Sequence, residues 1–190
     1  MLSWLGEEPL AGTAGQGEWQ NVREGPGHMD IQYKKIDLNS NFERALKFRL
    51  DSFVCSFGSD QEFHKEAGAD GHIYRDKLEQ RKDDAGWFYF HVWHAGRIVG
   101  QLEFRGFSDW EKLGYVHLFY LIPEYRGIGV FDQLHRFVED TLINAGCNGA
   151  VLTASKTNLR ALMAYERHGW YWMGPNPKHE LTDFYRLDFN

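Results

Sequence analysis

The chain has 190 residues, of which 43% are hydrophobic and 16% aromatic, and its formal net charge at pH 7 is -6. This length suits one domain with a sizeable core, and the acidic balance argues against sequence-independent binding to nucleic acid or to anionic membranes. No apolar run approaches the length of a membrane span, and the N-terminus lacks the pattern of a signal peptide, so we expect a cytoplasmic protein without a membrane partner.

The first 28 residues differ in composition from the rest, being rich in glycine with scattered apolar residues. Such a segment predicts an extension without regular structure, and we assign no chemistry to it. Residues 29–190 are expected to form a single domain. Cys55 and Cys147 lie far apart and in no metal-ligand spacing, which is typical of small buried hydrophobic residues in a reducing compartment.

The domain begins with a strand and a helix. Residues 31–38 have a short strand pattern. Ser40 and Glu43 have the spacing of a capping box, which predicts a helix over residues 41–57 that ends at Gly58.

A charged segment and a hairpin follow. Residues 59–84 are polar and are expected to hold a loop and one helix over residues 73–80, forming either a solvated face or the wall of an acceptor site. Residues 87–93 and 98–104 are aromatic and β-branched runs joined by a short turn, which predicts a β-hairpin.

The most informative stretch is a strand, a glycine turn and a helix start. Residues 116–122 are apolar enough for a buried strand, Pro123 ends its ladder, and Gly127 and Gly129 precede a helical pattern that Gly146 ends. Glycines let a main chain approach a ligand closely, and the free N–H groups of a first helical turn attract anions. The stretch predicts a site for a phosphate-bearing ligand, although it contains neither the dinucleotide fingerprint nor the nucleotide-triphosphate loop. An ordinary strand-to-helix turn is the alternative.

The second informative stretch is a helix near the C-terminus. Thr157 or Asn158 is expected to cap it, and Gly169 to end it. Asn158, Ala161 and Tyr165 fall on one helix face, because offsets of three, four and seven residues bring side chains into line. The remaining predicted strands cover residues 150–154, 170–173 and 184–189.

Both stretches resemble motifs of the GNAT superfamily of N-acetyltransferases. Residues 126–130 fit its acetyl-coenzyme A signature, Arg/Gln-x-x-Gly-x-Gly/Ala, with Phe131 in place of the final small residue. Residues 158–170 fit Asn-x-x-Ala-x-x-x-Tyr-Glu-x-x-Gly-Phe, with Trp170 in the aromatic place. Two motifs in the right order, separated by one helix and one strand, are far more specific than either alone. The resemblance covers residues 31–189.

The resemblance implies an α/β fold with a mixed, mostly antiparallel sheet whose central parallel strand pair splays apart between flanking helices. It implies acetyl transfer from acetyl-coenzyme A to a primary amine of a small molecule or peptide within one ternary complex, without a metal. Two alternatives stay open: a catalytically weak acyl-coenzyme A-binding module, and an enzyme acting on charged tRNA, against which the acidic balance counts. A homodimer is also left open.

The resemblance further implies roles for particular residues. A main-chain N–H near Leu121 would stabilise the negative charge that develops on the thioester carbonyl, and Tyr165 would protonate the departing thiolate. Asn158 would hydrogen-bond the cofactor or act only as a helix cap, and Tyr165 could instead be a core aromatic residue. The candidate cofactor-binding residues are Leu121, Arg126, Gly127, Ile128, Gly129, Val130, Phe131, Asp132 and Asn158.

The general base is harder to assign. Some relatives have a glutamate on the strand before the second motif, where this chain has Thr153. Tyr115, His117 and Phe119 would share a face of their strand by the alternation of side chains. His117 titrates near neutrality in model peptides and is the first candidate, with Glu103 second.

The charged segment bears on the acceptor. Acidic residues outnumber basic ones between residues 59 and 84, the region that lies beside the acceptor site in the chains this one resembles. We therefore expect a cationic or amino-bearing acceptor, drawn there by complementary charge. The histidines show no zinc-ligand spacing with carboxylates or cysteines, so no metal site is predicted.

Overall fold

The computed structural model of the protein describes residues 29–189, so the predicted N-terminal extension lies outside the described residues. Its elements in chain order are β1 (Gln32–Lys35), α1 (Phe42–Phe57), α2 (Gln61–Ala67), α3 (His72–Arg81), β2 (Trp87–His94), β3 (Arg97–Arg105), β4 (Leu113–Leu121), a 3-10 turn (Pro123–Tyr125), α4 (Val130–Asn144), β5 (Gly149–Ser155), α5 (Leu159–Arg167), β6 (Tyr171–Pro175) and β7 (Thr182–Asp188).

These strands form one mixed sheet in the order β1-β2-β3-β4-β5-β7-β6. The pair β4–β5 is parallel, and the other neighbouring strands are antiparallel. The parallel pairing extends only from Leu113 opposite Gly149 to Val116 opposite Leu152, and beyond that point the two strands separate. The predicted fold class, a mostly antiparallel sheet with a central splayed parallel pair, is confirmed.

A β-bulge interrupts β4 next to the splay. The register of β3 against β4 slips between Glu103 and Phe104, which leaves His117 as the extra residue of β4. A bulge of one residue reverses the alternation of side chains beyond it. Tyr115 and His117 therefore lie on the face near α1 and α3, whereas Phe119 packs on the opposite face against α4 and α5. The prediction that these three residues share one face is wrong for Phe119.

Helices cover both faces of the sheet. One core lies under α4, where Val130, Leu134, Val138 and Leu142 repeat at helical spacing and pack on the strands. On the other face, the apolar residues of α1–α3 form a second cluster. No helix within residues 29–189 is both long and apolar enough to cross a bilayer.

The charged segment holds two helices rather than the predicted one. Phe63 and Ala67 bury one side of α2, and Tyr74 and Leu78 bury one side of α3. Four apolar residues in two i, i+4 pairs are enough to attach two short helices, because tertiary packing supplies most of a short helix's stability. The polar residues between them hide this pattern in the sequence.

The predicted capping box is also wrong. The N-cap of α1 is Asn41, whose side chain makes no capping hydrogen bond. The Ser40 hydroxyl instead donates to the carboxylate of Asp37. Gly58 ends α1 in the left-handed conformation, as predicted.

Candidate active site

A cavity of about 710 Å³ opens where β4 and β5 separate. Its walls come from α1, the ends of β4 and β5, the glycine turn and α5. The volume falls within the range of small-molecule sites, roughly 300–1,000 Å³. The splay removes the hydrogen bonds between the two strands, so their main chains face the cavity instead of each other.

The glycine turn lies at one edge of this cavity. Gly127 and Gly129 have φ angles of +78° and +86°, which side chains other than glycine rarely adopt. The space beside them is open, since a Cβ at Gly127 would meet nothing within 4 Å, and at Gly129 only the Asp132 carboxylate at 4.0 Å. Within the described part of the chain, the amides of residues 127–131 have no hydrogen-bond acceptor. Helix α4 starts at Val130, so these amides form an array of donors at a helix N-terminus.

Phe131, which departs from the first motif, is accommodated by packing. Its ring lies 5.2 Å from that of Phe119, 6.1 Å from Tyr165 and 5.0 Å from His168, measured between centroids. The ring therefore belongs to an aromatic cluster between β4, α4 and α5. This packing gives the bulky side chain a place other than the open space beside the glycines.

Arg126 connects the glycine turn to the end of β4 and to α1. Its Nε donates to the Leu121 carbonyl at 2.6 Å, and its Nη2 lies 3.2 Å from the Asp51 carboxylate on α1. Tyr120 donates to the same carboxylate at 2.7 Å. Arg126 Nη1 lies 3.6 Å from Sγ of Cys55, which is exposed on the cavity wall. The prediction of a buried cysteine is therefore wrong for Cys55, because this position of α1 faces the cavity.

Asp132 connects the start of α4 to the C-terminal end of α5. Its Oδ1 lies 3.0 Å from Nε2 of His168, and its amide already donates to the Gly129 carbonyl at 3.3 Å. Beside this pair, Trp170 Nε1 donates to Nε2 of His135 at 2.9 Å. Burial lowers the pKa of His135 to about 4, which keeps this ring neutral and able to accept the bond. The side chain of Asp132 thus holds α4 to α5.

Asn158 and Tyr165 of the second motif both line the cavity, Asn158 at the start of α5 and Tyr165 in its last turn. Tyr165 packs against the rings of Phe131 and Trp170. Burial raises the pKa of Tyr165 to about 12, so the phenol is neutral at physiological pH and can donate a hydrogen bond. Asn158 caps α5, because its side chain accepts from the Ala161 amide at 3.2 Å.

His117 lines the cavity from the β4 bulge. Its ring is nearly parallel to that of Trp87, with centroids 5.7 Å apart. Part of the side chain stays exposed to the open cavity. The surrounding protein nevertheless removes the ring from bulk water, and this desolvation, followed by the positive charges of Arg49, Arg105 and Arg81, lowers the pKa of His117. The imidazole is therefore neutral at physiological pH and weakly basic in the free protein.

Glu103 lies deeper and is already hydrogen-bonded. Its side chain is buried, and its Oε1 accepts from the Tyr74 hydroxyl at 2.6 Å and from Gln101 Nε2 at 2.7 Å. Arg49 Nε is 3.9 Å from the same oxygen. These donors and the Arg49 cation occupy the Oε1 atom of Glu103, so Glu103 is less able to accept a proton from a substrate.

A smaller cavity of about 200 Å³ adjoins the first. The two share Arg49, Glu66 and His117 in their linings. Residues 59–84 contribute Glu66 to this lining, but also Lys77 and Arg81, while the other acidic residues of the segment face elsewhere. The acidic wall expected beside the acceptor site is therefore not formed.

Several cavity residues have no signal in the sequence. Arg49, Arg81 and Trp87 come from three separate elements, and only the tertiary fold brings them to His117. The hydroxyl of Thr153 on β5 is 3.0 Å from that of Tyr115. Among residues 29–189, no group of three or more His, Cys, Asp or Glu side chains is arranged to hold a metal ion.

Comparison with known proteins gives a consistent assignment. A family model described as the acetyltransferase (GNAT) family matches residues 51–170. No protein of curated function matches the sequence. Among solved structures, the PaiA N-acetyltransferase of Thermoplasma acidophilum in complex with coenzyme A is 13% identical, with 85% of this chain and 100% of that chain covered and a TM-score of 0.70.

Two further structures show the same fold. The spermidine N-acetyltransferase of Vibrio cholerae, in complex with coenzyme A and spermine, is 13% identical, with 82% of this chain and 92% of that chain covered and a TM-score of 0.64. Protein PH1933 of Pyrococcus horikoshii is 20% identical, with coverage of 85% and 99% and a TM-score of 0.61. At these identities the likeness concerns the fold alone.

Proposed function

Since the chain belongs to the GNAT family of acetyltransferases, we propose that it transfers the acetyl group of acetyl-coenzyme A directly to a primary amine of a small molecule or peptide. The observation that carries this proposal is the donor array of residues 127–131 at the edge of a cavity of about 710 Å³. A pyrophosphate is the group that such an array of amides at a helix N-terminus binds best. The coenzyme A bound in two of the solved relatives supports the same ligand.

The cofactor would enter through the gap between β4 and β5. With its pyrophosphate on the glycine turn, its thioester would lie near Leu121 and Tyr165, which line the same cavity. The Leu121 carbonyl is held by Arg126, which fixes the end of β4. A rigid strand end with free main-chain amides can stabilise the developing negative charge on the thioester oxygen.

The reaction needs two proton transfers. The neutral amine attacks the thioester carbonyl, and the resulting tetrahedral species expels the thiolate of coenzyme A. We assign the proton of the leaving thiolate to Tyr165, whose phenol is neutral because burial raises its pKa to about 12. The amine's proton goes to His117, directly or through a water molecule. General acid–base steps of this kind typically contribute roughly 10²–10⁴-fold in rate.

His117 is a better base candidate than Glu103 on geometric grounds. It lines both cavities, at the place where an acceptor in the small cavity would meet a thioester in the large one. Glu103 lies behind it with Tyr74, Gln101 and Arg49 as partners. We infer that Glu103 acts mainly by holding Arg49.

The proposal is tested by titrating acetyl-coenzyme A in a calorimeter and by measuring thiol release across a panel of amines that includes peptides and an aminoacyl-tRNA. Binding together with acceptor-dependent thiol release is the expected result. Binding without thiol release from any acceptor would favour a catalytically weak binding module. A chain that does not bind the cofactor at all would contradict the proposal.

A further inference from the structure

The small cavity concentrates positive charge in a chain whose net charge is -6. Its cationic groups come from α1, α3 and β3, which are adjacent only in the folded chain. The charged residues that line the cavity or stand behind its aromatic wall are Arg49, Lys77, Arg81, Arg105, Glu66 and Glu103.

These cations are poorly neutralised by the protein. Arg49 is 3.9 Å from Glu103. Within residues 29–189, no carboxylate lies within 4.0 Å of Lys77, Arg81 or Arg105. Besides desolvation, the guanidinium groups of Arg49, Arg105 and Arg81 each contribute to lowering the pKa of the neighbouring His117 imidazole.

Arg81 is held in a defined orientation. Its guanidinium carbon is 3.9 Å from the centroid of the Trp87 ring. Trp87 is in turn nearly parallel to Tyr89, at 6.0 Å and 5°, and to His117, at 5.7 Å and 16°. A guanidinium stacked on an aromatic face keeps its in-plane N–H donors free for a planar, two-oxygen acceptor.

Lys77 and Arg81 form one cationic edge of the cavity. They are four residues apart on α3, so their side chains lie on the same side of the helix, next to Tyr74 and Leu78. Glu66 lines both this cavity and the large one, as do Arg49 and His117. The cavity therefore has two cations on α3, and Glu66 is the carboxylate that it shares with the large cavity.

We propose that the acceptor is a small amine that also carries a carboxylate, bound with the carboxylate at Arg81 and Lys77 and the amino group beside Glu66 and His117. This inference rests on the proposed function and names its substrate class. A cavity of about 200 Å³ is smaller than most ligand sites, so the bound part of the acceptor is small. Glu66 and Glu103 offset part of the positive charge, so a carboxylate fits better than a dianionic phosphate.

The same binding mode would assist the base. A carboxylate at Arg81 and Lys77 offsets part of the positive charge that lowers the pKa of His117, so that the pKa rises when the acceptor binds. The charged groups around His117 are Arg49 from α1, Glu66 from α2, Lys77 and Arg81 from α3, and Arg105 and Glu103 from β3. A cationic acceptor would act in the opposite direction and leave the base weaker.

The test compares matched acceptors of two to five carbon atoms: amino acids, their carboxamides and aminoalkyl phosphates of equal length. We expect kcat/KM for the amino acids to exceed that of the carboxamides by about tenfold or more, the usual range for a lost charge-assisted hydrogen bond. Arg81→Gln should reduce this preference to within a few-fold. Arg75→Gln is the matched control, because Arg75 is on the same helix and packs on Phe42 at 5.0 Å, outside the cavity.

Calorimetric titration of the same compounds, with coenzyme A present, separates this inference from the proposed function. Selective binding of the amino acids that depends on Arg81 supports the inference even if turnover is slow. Coenzyme A binding with equal or better use of the carboxamides overturns it while the proposed function stands. A preference for the phosphates likewise overturns the carboxylate assignment.

Discussion

The two halves of the cleft are built in different ways. The half proposed to bind the cofactor consists of the end of β4, the glycine turn and the starts of α4 and α5, and its free donors are main-chain amides. The half proposed to bind the acceptor consists of side chains from α1, α2, α3, β2, β3 and β4 that converge on His117. The amides of the first half belong to one continuous stretch of backbone, whereas the second half exists only when six elements are in place.

This difference determines how each half responds to substitution. A main-chain site depends on φ angles and on open space, so it fails when a side chain enters that space. A side-chain site depends on individual charged and aromatic groups, so it changes in degree as single groups are removed. The predictions below test this contrast, from the largest expected effect to the smallest.

Gly129→Glu should abolish measurable binding of acetyl-coenzyme A, because a carboxylate would occupy the open space beside the free amides and repel the pyrophosphate. Gly146→Glu is the matched control, since Gly146 has the same φ of +86° and equally open surroundings but lies beyond the C-terminal end of α4. Both variants carry a similar backbone strain of roughly 1–2 kcal/mol. Equal cofactor affinity of the two variants in calorimetry would contradict the assignment of the turn.

Tyr165→Phe should lower kcat by roughly a hundredfold while leaving cofactor affinity and the melting temperature nearly unchanged, because only the proton donor is lost. The control is Tyr171→Phe, which removes an exposed hydroxyl that donates to Asp188 on β7, away from the cavity. Single-turnover kinetics with the best acceptor provide the measurement. Wild-type turnover in the first variant would leave Tyr165 as a packing residue.

His117→Ala should lower kcat/KM by about tenfold or more. Because the pKa of His117 in the free protein is lowered, protonation of this base should reduce wild-type kcat/KM only at a pH below the usual histidine value of about 6.5, after correction for the acceptor's own ionisation. In the pH profile of kcat, the decrease at low pH should occur at a higher pH than in the profile of kcat/KM if the bound acceptor offsets the arginine charges.

An exposed histidine of α3 provides the control for this profile. His72→Ala should keep both the wild-type rate and the wild-type pH dependence, since His72 lies outside both cavity linings. If His117→Ala behaves in the same way, the base lies elsewhere, and Glu103→Gln becomes the next variant to measure.

The smallest effect concerns the pH dependence of stability. Burial lowers the pKa values of His91 and His135 to about 4, below the usual 6.5 of the unfolded chain. The unfolded state therefore binds more protons between these values, so stability is full above pH 6.5 and is lost as the pH falls towards 4. By pH 5.5 we expect each histidine to cost about 1 kcal/mol.

Urea unfolding at pH 7.5 and 5.5 measures this loss. His91→Leu should reduce the difference in unfolding free energy between the two pH values, because it removes a histidine whose pKa is lowered and which packs on Phe48 of α1. A difference that is the same as in the wild type would show that other groups carry the pH dependence.

The sequence by itself determined the fold class, through the resemblance to the GNAT superfamily, and the local features of the half proposed to bind the cofactor. Glycines at the turn, a helix start directly after them, and Asn158, Ala161 and Tyr165 on one helix face are local features, and local geometry follows from spacing. The structure places all of these at one cavity, although only ligand binding and kinetics can test the roles assigned to them.

Tertiary structure alone decided the acceptor half. The β4 bulge separates Phe119 from His117, and no alternation rule can show where one extra residue enters a strand. Residues 59–84 looked acidic along the chain, yet packing of α2 and α3 brought Lys77 and Arg81 to the cavity and left most carboxylates outside. The charge at a site depends on which side chains from distant elements come together there. Sheet register and helix packing decide this, and counting charges along the sequence gives information on neither.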